Sequence, residues 1–236
     1  MNIHIIIQAR TGSTRLPNKV MKKLEDKIVL QHVVDRLKKS NYASDIIICT
    51  TRKKNDDVIA DFCLYNKIKI YRGSESNVLE RYYETAKYFN SNIIIRVTSD
   101  CPLVDATYID MMIDFFFNEN LSYLGPRYFG KHKFPDGFNG EVFNYNILEE
   151  AHKNALINER EHVTTYMIKK YSKKEFEYPI LYKKYKNLIF SNLHLSLDTS
   201  EDYELLKNIF SNVYLKKKDF KLEDVLKYLN KIVYLE

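Results

Sequence analysis

"IIIQARTGSTRLPNKV", residues Ile5–Val20, opens with a β-branched apolar run, stops at Gln8 and continues into a polar loop holding Arg10, Thr11, Gly12, Ser13, Thr14, Arg15 and Lys19. A strand that is apolar on both faces belongs inside a sheet covered on both sides, which is the environment of a parallel sheet. The runs "IHIIIQ" (3–8), "DIIICTT" (45–51), "KIKIYR" (67–72) and "NIIIRVT" (92–98) share that character. Segments with apolar residues at helical spacing separate or follow them, at 29–40, 56–66, 77–90 and 106–119. The alternation predicts a parallel sheet flanked by helices, so the polar loop after Gln8 leaves the carboxyl end of the first strand. Open α/β sheets bind ligands in the crevice outside those strand ends.

The loop's composition narrows the ligand. Arg10, Arg15 and Lys19 supply charge, Ser13 supplies a hydroxyl, and Gly12 leaves the backbone amides approachable, a combination suited to a polyphosphate. The bland alternative is a solvated basic turn. A Walker A loop is excluded, because the second glycine and the Ser/Thr after the lysine are both missing, and no G-x-G-x-x-G occurs.

Beyond residue 121 the rhythm changes. The stretch 123–143 gathers four of the six glycines and two of the five prolines, which reads as a long irregular segment with a functional purpose. Helices are expected at 146–155, 159–171, about 200–210 and about 221–231, with strand-like pieces at 175–182 and 193–197. No repeat or low-complexity linker divides the chain, so a single domain over 1–236 is expected.

Two carboxylates are left over once helix capping is assigned. In "VTSDCPLVD" Asp105 suits the N-cap of the following helix, which leaves Asp100 free at a strand end. In "LSLDTSEDYELL" Thr199 and Asp202 have capping-box spacing, which leaves Asp198 free. Oxygen donors facing a triphosphate loop suit magnesium. An ordinary turn aspartate is the competing reading of Asp100.

The ordered motifs "QARTGSTRLPNK", "YRGSESNVLERYY", "RVTSDCPLVD", "FPDGFNGEVF", "EREHVT" and "LSLDTSEDYELL" resemble the cytidylyltransferases that make CMP-activated acidic sugars. The resemblance is to the branch called spore coat polysaccharide biosynthesis protein F, with similarity also to CMP-Kdo synthetase. That branch reads R-L-P-G-K where this chain has Asn18, a residue that tolerates positive φ. The resemblance implies a Rossmann-like, mixed but mostly parallel sheet of the nucleotide-diphospho-sugar transferase type. It also implies CTP and Mg2+ as co-reactants, release of pyrophosphate and a homodimer. The nucleotide-binding part would span about 1–120, and the acceptor-binding and dimerisation part about 121–236.

Carried onto this chain, the resemblance places CTP against Gln8, Ala9, Arg10, Gly12, Ser13, Arg15, Lys19, Arg72, Ser74 and Arg81. Arg81 also fits an amphipathic helix with surface pairing to Glu80 or Glu84. Magnesium falls to Asp100 and Asp198, and catalysis to those two with Arg10, Arg15 and Lys19. The acceptor, a sugar acid or a phosphorylated sugar or polyol, falls to Asp136, Glu141, Arg160 and His162. Arg127, Lys131, His132 and Lys133 are further acceptor-side cations or a surface charge cluster. His4, His32, His152 and His194 read as structural or surface residues.

A formal net charge of +6 comes from dispersed lysines rather than a block, so nucleic acid is not expected as a partner. Three cysteines without metal-like spacing suit reduced thiols, and no apolar run is long enough for a signal peptide or membrane span, so a cytoplasmic protein is expected. A glycosyltransferase on a similar sheet is the competing enzymatic reading, opposed by the lack of a D-x-D motif.

Overall fold

The computed structural model describes residues 1–125, 136–138, 140–172 and 193–233. Six strands form its main sheet: β1 (Ile3–Gln8), β4 (Asp45–Thr51), β5 (Lys69–Gly73), β6 (Ile93–Thr98), β7 (Tyr123–Leu124) and β8 (Glu141–Asn144). Their order is β5-β4-β1-β6-β8-β7, with β2 (Lys23–Leu24) and β3 (Lys27–Ile28) making a separate small ladder. The first four are mutually parallel, whereas β8 runs antiparallel to β6 and β7 antiparallel to β8. The sheet is therefore mixed and mostly parallel, as the sequence predicts. From β1 the chain builds outward through β4 to β5, then returns to lay β6 on the other side of β1. That reversal puts a topological switch point at the carboxyl ends of β1 and β6, where Gln8 is in register with Thr98.

The period of two decides which residues go to which face. Ile3, Ile5 and Ile7 of β1 join a core with α1 (Val29–Leu37), α2 (Asp57–Tyr65) and α4 (Ala106–Asn118). Ile6, Ile47 and Ile94 point the other way, into a core with α3 (Val78–Tyr88), α5 (Tyr145–Asn154) and α6 (Thr165–Tyr171). Ile5, Ile6 and Ile7 are all fully buried, and each such side chain stabilises the fold by about 1.5–3 kcal/mol relative to exposure. A third core joins Leu16, Leu24, Val29 and Leu103 to α7 (Ser200–Ile209), the π-helical turn Phe210–Tyr214 and α8 (Leu222–Val233).

Helix starts follow from caps. Asn77 accepts from the amide of Glu80, Asp105 from Thr107, and Asn144 from Ile147. Thr199 and Asp202 form the expected capping box on α7. Two expectations change. The helix expected over 159–171 starts at Thr165, because the chain first makes a 3-10 turn (Ile157–Glu159) and then a tight turn in which the Thr164 amide donates to the His162 carbonyl and Val163 adopts φ 53°. The stretch 193–197 is no strand but a single bridge from His194 to Asp136. Gly137 permits that bridge, since its φ is +100° and a Cβ there would lie 2.5 Å from the Leu195 carbonyl. The expected strand 175–182, and Arg127, Lys131, His132 and Lys133, lie outside the described residues.

Candidate active site

The loop after β1 is anchored before it is charged. Asp56, 3% exposed, accepts from the Thr11 amide and the Thr11 hydroxyl, both at 2.7 Å, and from the Thr51 hydroxyl at the end of β4. Three donors on one buried carboxylate hold the loop against the neighbouring strand end. Sequence reasoning missed Asp56, which stands at the start of the segment read as a helix over 56–66, in the connection that leaves β4. The Asn18 amide then donates to the Thr11 carbonyl at 3.0 Å, closing the loop on itself. Asn18 has φ 56° and ψ 23°, so the left-handed turn survives the replacement of glycine. The turn delivers Lys19 at the start of a 3-10 turn, aimed back across the strand ends.

Lys19 lies between the two capping-free aspartates. Its Nζ donates to Asp100 Oδ2 at 2.6 Å and to Asp198 Oδ1 at 2.9 Å, while Arg15 reaches Asp198 Oδ1 at 3.1 Å. Local structure places both acids. The Asp198 and Thr199 amides donate to Asp202 Oδ2 at 2.9 and 2.8 Å, fixing the entrance to α7. The Leu197 amide donates to the Asp100 carbonyl at 2.8 Å, tying the two motifs together through the backbone. Burial opposes the Lys19 charge, but Asp100 and Asp198 outweigh it and raise its pKa. Burial likewise pushes Asp198 up, and Lys19, Arg15 and His194 together bring it below the ordinary aspartate range.

The donor set tests the expected metal. Two carboxylates, one just past β6 and one at the entrance to α7, converge on one cationic group, and magnesium typically takes one or two protein carboxylates while keeping water and phosphate oxygens for its other positions. Among the described residues no cluster of three or more metal-ligating groups occurs, so this site lacks the ligands of a metal held by protein alone. The residues present fit a metal that arrives with phosphates.

The rest of the nucleotide side is uneven. Gly12 has open space where a Cβ would sit, so neither crowding nor φ explains it within the protein. Arg10 is exposed beside it, the Ser13 amide donates to the Thr11 carbonyl, and the Ser13 hydroxyl accepts from the Leu16 amide. Ala9 is buried and donates to the Cys49 carbonyl at 3.1 Å. Gln8 has a buried Oε1 with no partner among the described residues. Arg72 donates to the carbonyls of Thr51 and Lys53, both at 2.8 Å, and pairs with Asp57, so its guanidinium braces the β4–α2 connection. Arg81 is 2% exposed and donates to the Ser74 carbonyl, while the Ser74 hydroxyl accepts from Asn77. The surface pairing of Arg81 with Glu80 or Glu84 is thus corrected: the helical phase that buries Val78 and Tyr82 also turns Arg81 inward.

On the side expected to take the acceptor, a pocket of about 220 Å³ opens beside Asp100 and Asp198, lined also by Arg96, Asp136, Glu141 and Ser196. Glu141 is not open for sugar hydroxyls alone, since it pairs with Arg96 and accepts from the Tyr123 hydroxyl at 2.6 Å. Ser196 donates to Asp136 at 3.2 Å. His194, expected to be structural or on the surface, is 44% exposed in its side chain but lies 3.3 Å from Asp198 and 3.6 Å from Asp136, bridging the two halves of the site. Arg160 and His162 do not line this pocket. Arg160 bonds the His152 carbonyl and takes the Leu79 amide on its own carbonyl, and His162 is exposed on the adjoining turn.

Comparison with known proteins identifies the family. The cytidylyltransferase family model matches residues 4–235. The spore coat polysaccharide biosynthesis protein SpsF of Bacillus subtilis is 30% identical over 98% of this chain and 95% of its own length. A 3-deoxy-manno-octulosonate cytidylyltransferase of Geobacter metallireducens is 29% identical over 48% of this chain and 44% of its own. Among solved structures, a cytidylyltransferase from Leptospira borgpetersenii superposes with a TM-score of 0.87 at 31% identity, covering 99% of this chain and 96% of that one. With its strand-end cations and converging aspartates inside the matched region, the chain belongs to the cytidylyltransferase family, the nucleotidyltransferases that transfer a cytidylyl group.

Proposed function

We propose that the protein joins CMP from CTP to an acidic sugar of the nonulosonate or 3-deoxy-octulosonate kind, releasing pyrophosphate, in the cytoplasm and in the service of a surface polysaccharide. The observation that carries this reading is the meeting of Lys19 with Asp100 and Asp198 at the switch point, between a basic loop and a pocket of acceptor size. The acidic-sugar class is supported by the half-length similarity to a 3-deoxy-manno-octulosonate cytidylyltransferase, and the polysaccharide setting by the near full-length similarity to SpsF.

Arg10, Arg15 and Lys19 bind the triphosphate, and the open side of Gly12 lets it approach the loop backbone. Asp100 and Asp198 would hold magnesium, which when bound supplies positive charge to the phosphates. Gln8, Ser74 and Arg81 fall to the nucleoside, a reading supported by the buried amide oxygen of Gln8, which has no partner among the described residues. The acceptor occupies the pocket beside Asp136, so that its hydroxyl oxygen attacks the α-phosphorus while its proton passes to Asp198 and the bond to the β-phosphate oxygen breaks. Lys19 and Arg15 stabilise the charge that collects on the departing pyrophosphate. No covalent enzyme intermediate is needed, and the working unit is a homodimer.

A coupled pyrophosphate assay with CTP, magnesium and a panel of eight- and nine-carbon sugar acids and sugar or polyol phosphates tests the reading. Turnover with a sugar acid is the expected result. Turnover confined to phosphorylated acceptors would replace the CMP-linked product with a CDP-linked one.

A further inference from the structure

The ladder between β6 and β8 changes character at one rung. Ile94 faces Phe143 and Ile95 faces Val142, but the next pair, beside the acceptor pocket, is Arg96 with Glu141. The pair is secluded, with side-chain exposures of 17% and 8%, and Glu141 is further held by the Tyr123 hydroxyl. A buried ion pair is a poor way to stabilise a sheet, since apolar residues of the same volume serve as well or better. Stability alone therefore leaves the rung unexplained.

The guanidinium is only partly used. Nη1 donates to Glu141, whereas the buried Nε has no partner among the described residues. A buried N–H without an acceptor costs free energy, and the edge that carries Nε is the one with which arginine grips a planar carboxylate through two parallel hydrogen bonds. Of the described side chains lining the pocket, Asp100, Asp136, Glu141 and Asp198 are acidic and Arg96 is the cation. Asp100 and Asp198 are already paired with Lys19 and Arg15, and Glu141 takes one edge of Arg96, so the guanidinium edge left over suits a ligand with one negative charge and many hydroxyls better than a phosphate dianion.

We propose that Arg96, held in place by Glu141 and Tyr123, selects the acceptor by binding its single carboxylate through the Nε edge; this rests on the cytidylyl-transfer reading above. Glu141 is then a positioning residue that acts through Arg96. Burial works against the Arg96 charge and the Glu141 carboxylate outweighs it, so the guanidinium stays charged while secluded.

The test uses the full chain and two readouts, equilibrium binding by calorimetry and pyrophosphate release. The ligands are eight- and nine-carbon 2-keto-3-deoxy sugar acids and the C1 carboxamide of each, which keeps the shape and removes the charge. The variants are Arg96→Lys and, so that Glu141 is not stranded, the double variant Arg96→Met with Glu141→Gln. The wild type is expected to bind at least one acid, and to bind it about tenfold or more tightly than its amide. Arg96→Lys weakens acid binding about tenfold with the KM for CTP changed less than about twofold, and the double variant binds acid and amide alike. Acid binding that is indifferent to both variants, or a wild type that binds none of the acids, overturns the proposal. Arg96-dependent acid binding without pyrophosphate release would leave the proposal standing and count against the cytidylyl-transfer reading instead.

Discussion

The two sides of the site are built by opposite means. The side we propose for the phosphates is one contiguous loop, residues 8–19, pinned by a single buried acid, Asp56, and closed by a left-handed turn at Asn18. The acceptor side has no such loop; Asp136, Glu141 and His194–Asp198 come from separate stretches and meet through side-chain pairs and one backbone bridge. Lys19 spans the two. A loop closed on itself is built from local sequence, while a pocket gathered from distant segments can change by single substitutions without disturbing that loop.

The largest expected effect lies where the halves meet. Asp100→Asn and Asp198→Asn each keep volume but remove the charge Lys19 bridges, and pyrophosphate release should fall by about 10²-fold or more, with a melting temperature close to the parent's. A large loss of stability with a small loss of turnover would make them structural turn residues. Next comes the nucleotide side: Lys19→Ala should weaken CTP use by roughly 1.5–3 kcal/mol in kcat/KM, the scale of a charge-assisted hydrogen bond. Equal CTP kinetics would remove the triphosphate from this loop.

Asp56 separates anchoring from binding. Asp56→Asn leaves three donors sharing a weaker acceptor, so chemical denaturation should show a loss of about 1–3 kcal/mol, with KM for CTP raised more than KM for the acceptor. A variant that raised both equally would mean that the two sides are not independently built.

The smallest effect is on pH dependence. The folded pKa of Asp198 lies below its ordinary value of 3.8, so its contribution to stability is complete above that value and is lost as the pH falls through the folded pKa. Lys19 is raised above 10.5, so its contribution is present below that value and is lost as the pH rises through the folded pKa. Stability from this cluster should thus be flat from about pH 5 to 9, and Asp198→Asn should flatten the acid limb of a melting-temperature profile and also shrink the basic limb, since Asp198 is one of the two carboxylates that raise Lys19.

What the sequence disclosed follows the same division. Period and β-branching placed β1, β4, β5 and β6, and subtraction of the caps at Asp105 and Thr199 isolated Asp100 and Asp198. These signals are local, and local signals survive in a sequence. The short antiparallel strands β7 and β8 were not legible, because a four-residue run inside a glycine-rich stretch has too little pattern to declare itself. His194 is exposed, as expected, but also reaches Asp198 and Asp136, and Arg96 was passed over as part of an apolar strand, since each takes its meaning from a partner on another segment. Arg81 was ambiguous because its charge argued for the surface while its helical phase argued for burial, and phase prevailed.

The central claim is that Asp100 and Asp198 gather a divalent cation together with the nucleotide. Manganese, a spin-active stand-in for magnesium, can be titrated by electron paramagnetic resonance into the protein with a nonhydrolysable CTP analogue, beside the analogue alone. The protein is expected to retain manganese beyond what the analogue holds, each single Asn variant to weaken that retention, and the Asp100→Asn, Asp198→Asn double variant to abolish it. Undiminished retention in a folded double variant would contradict the account.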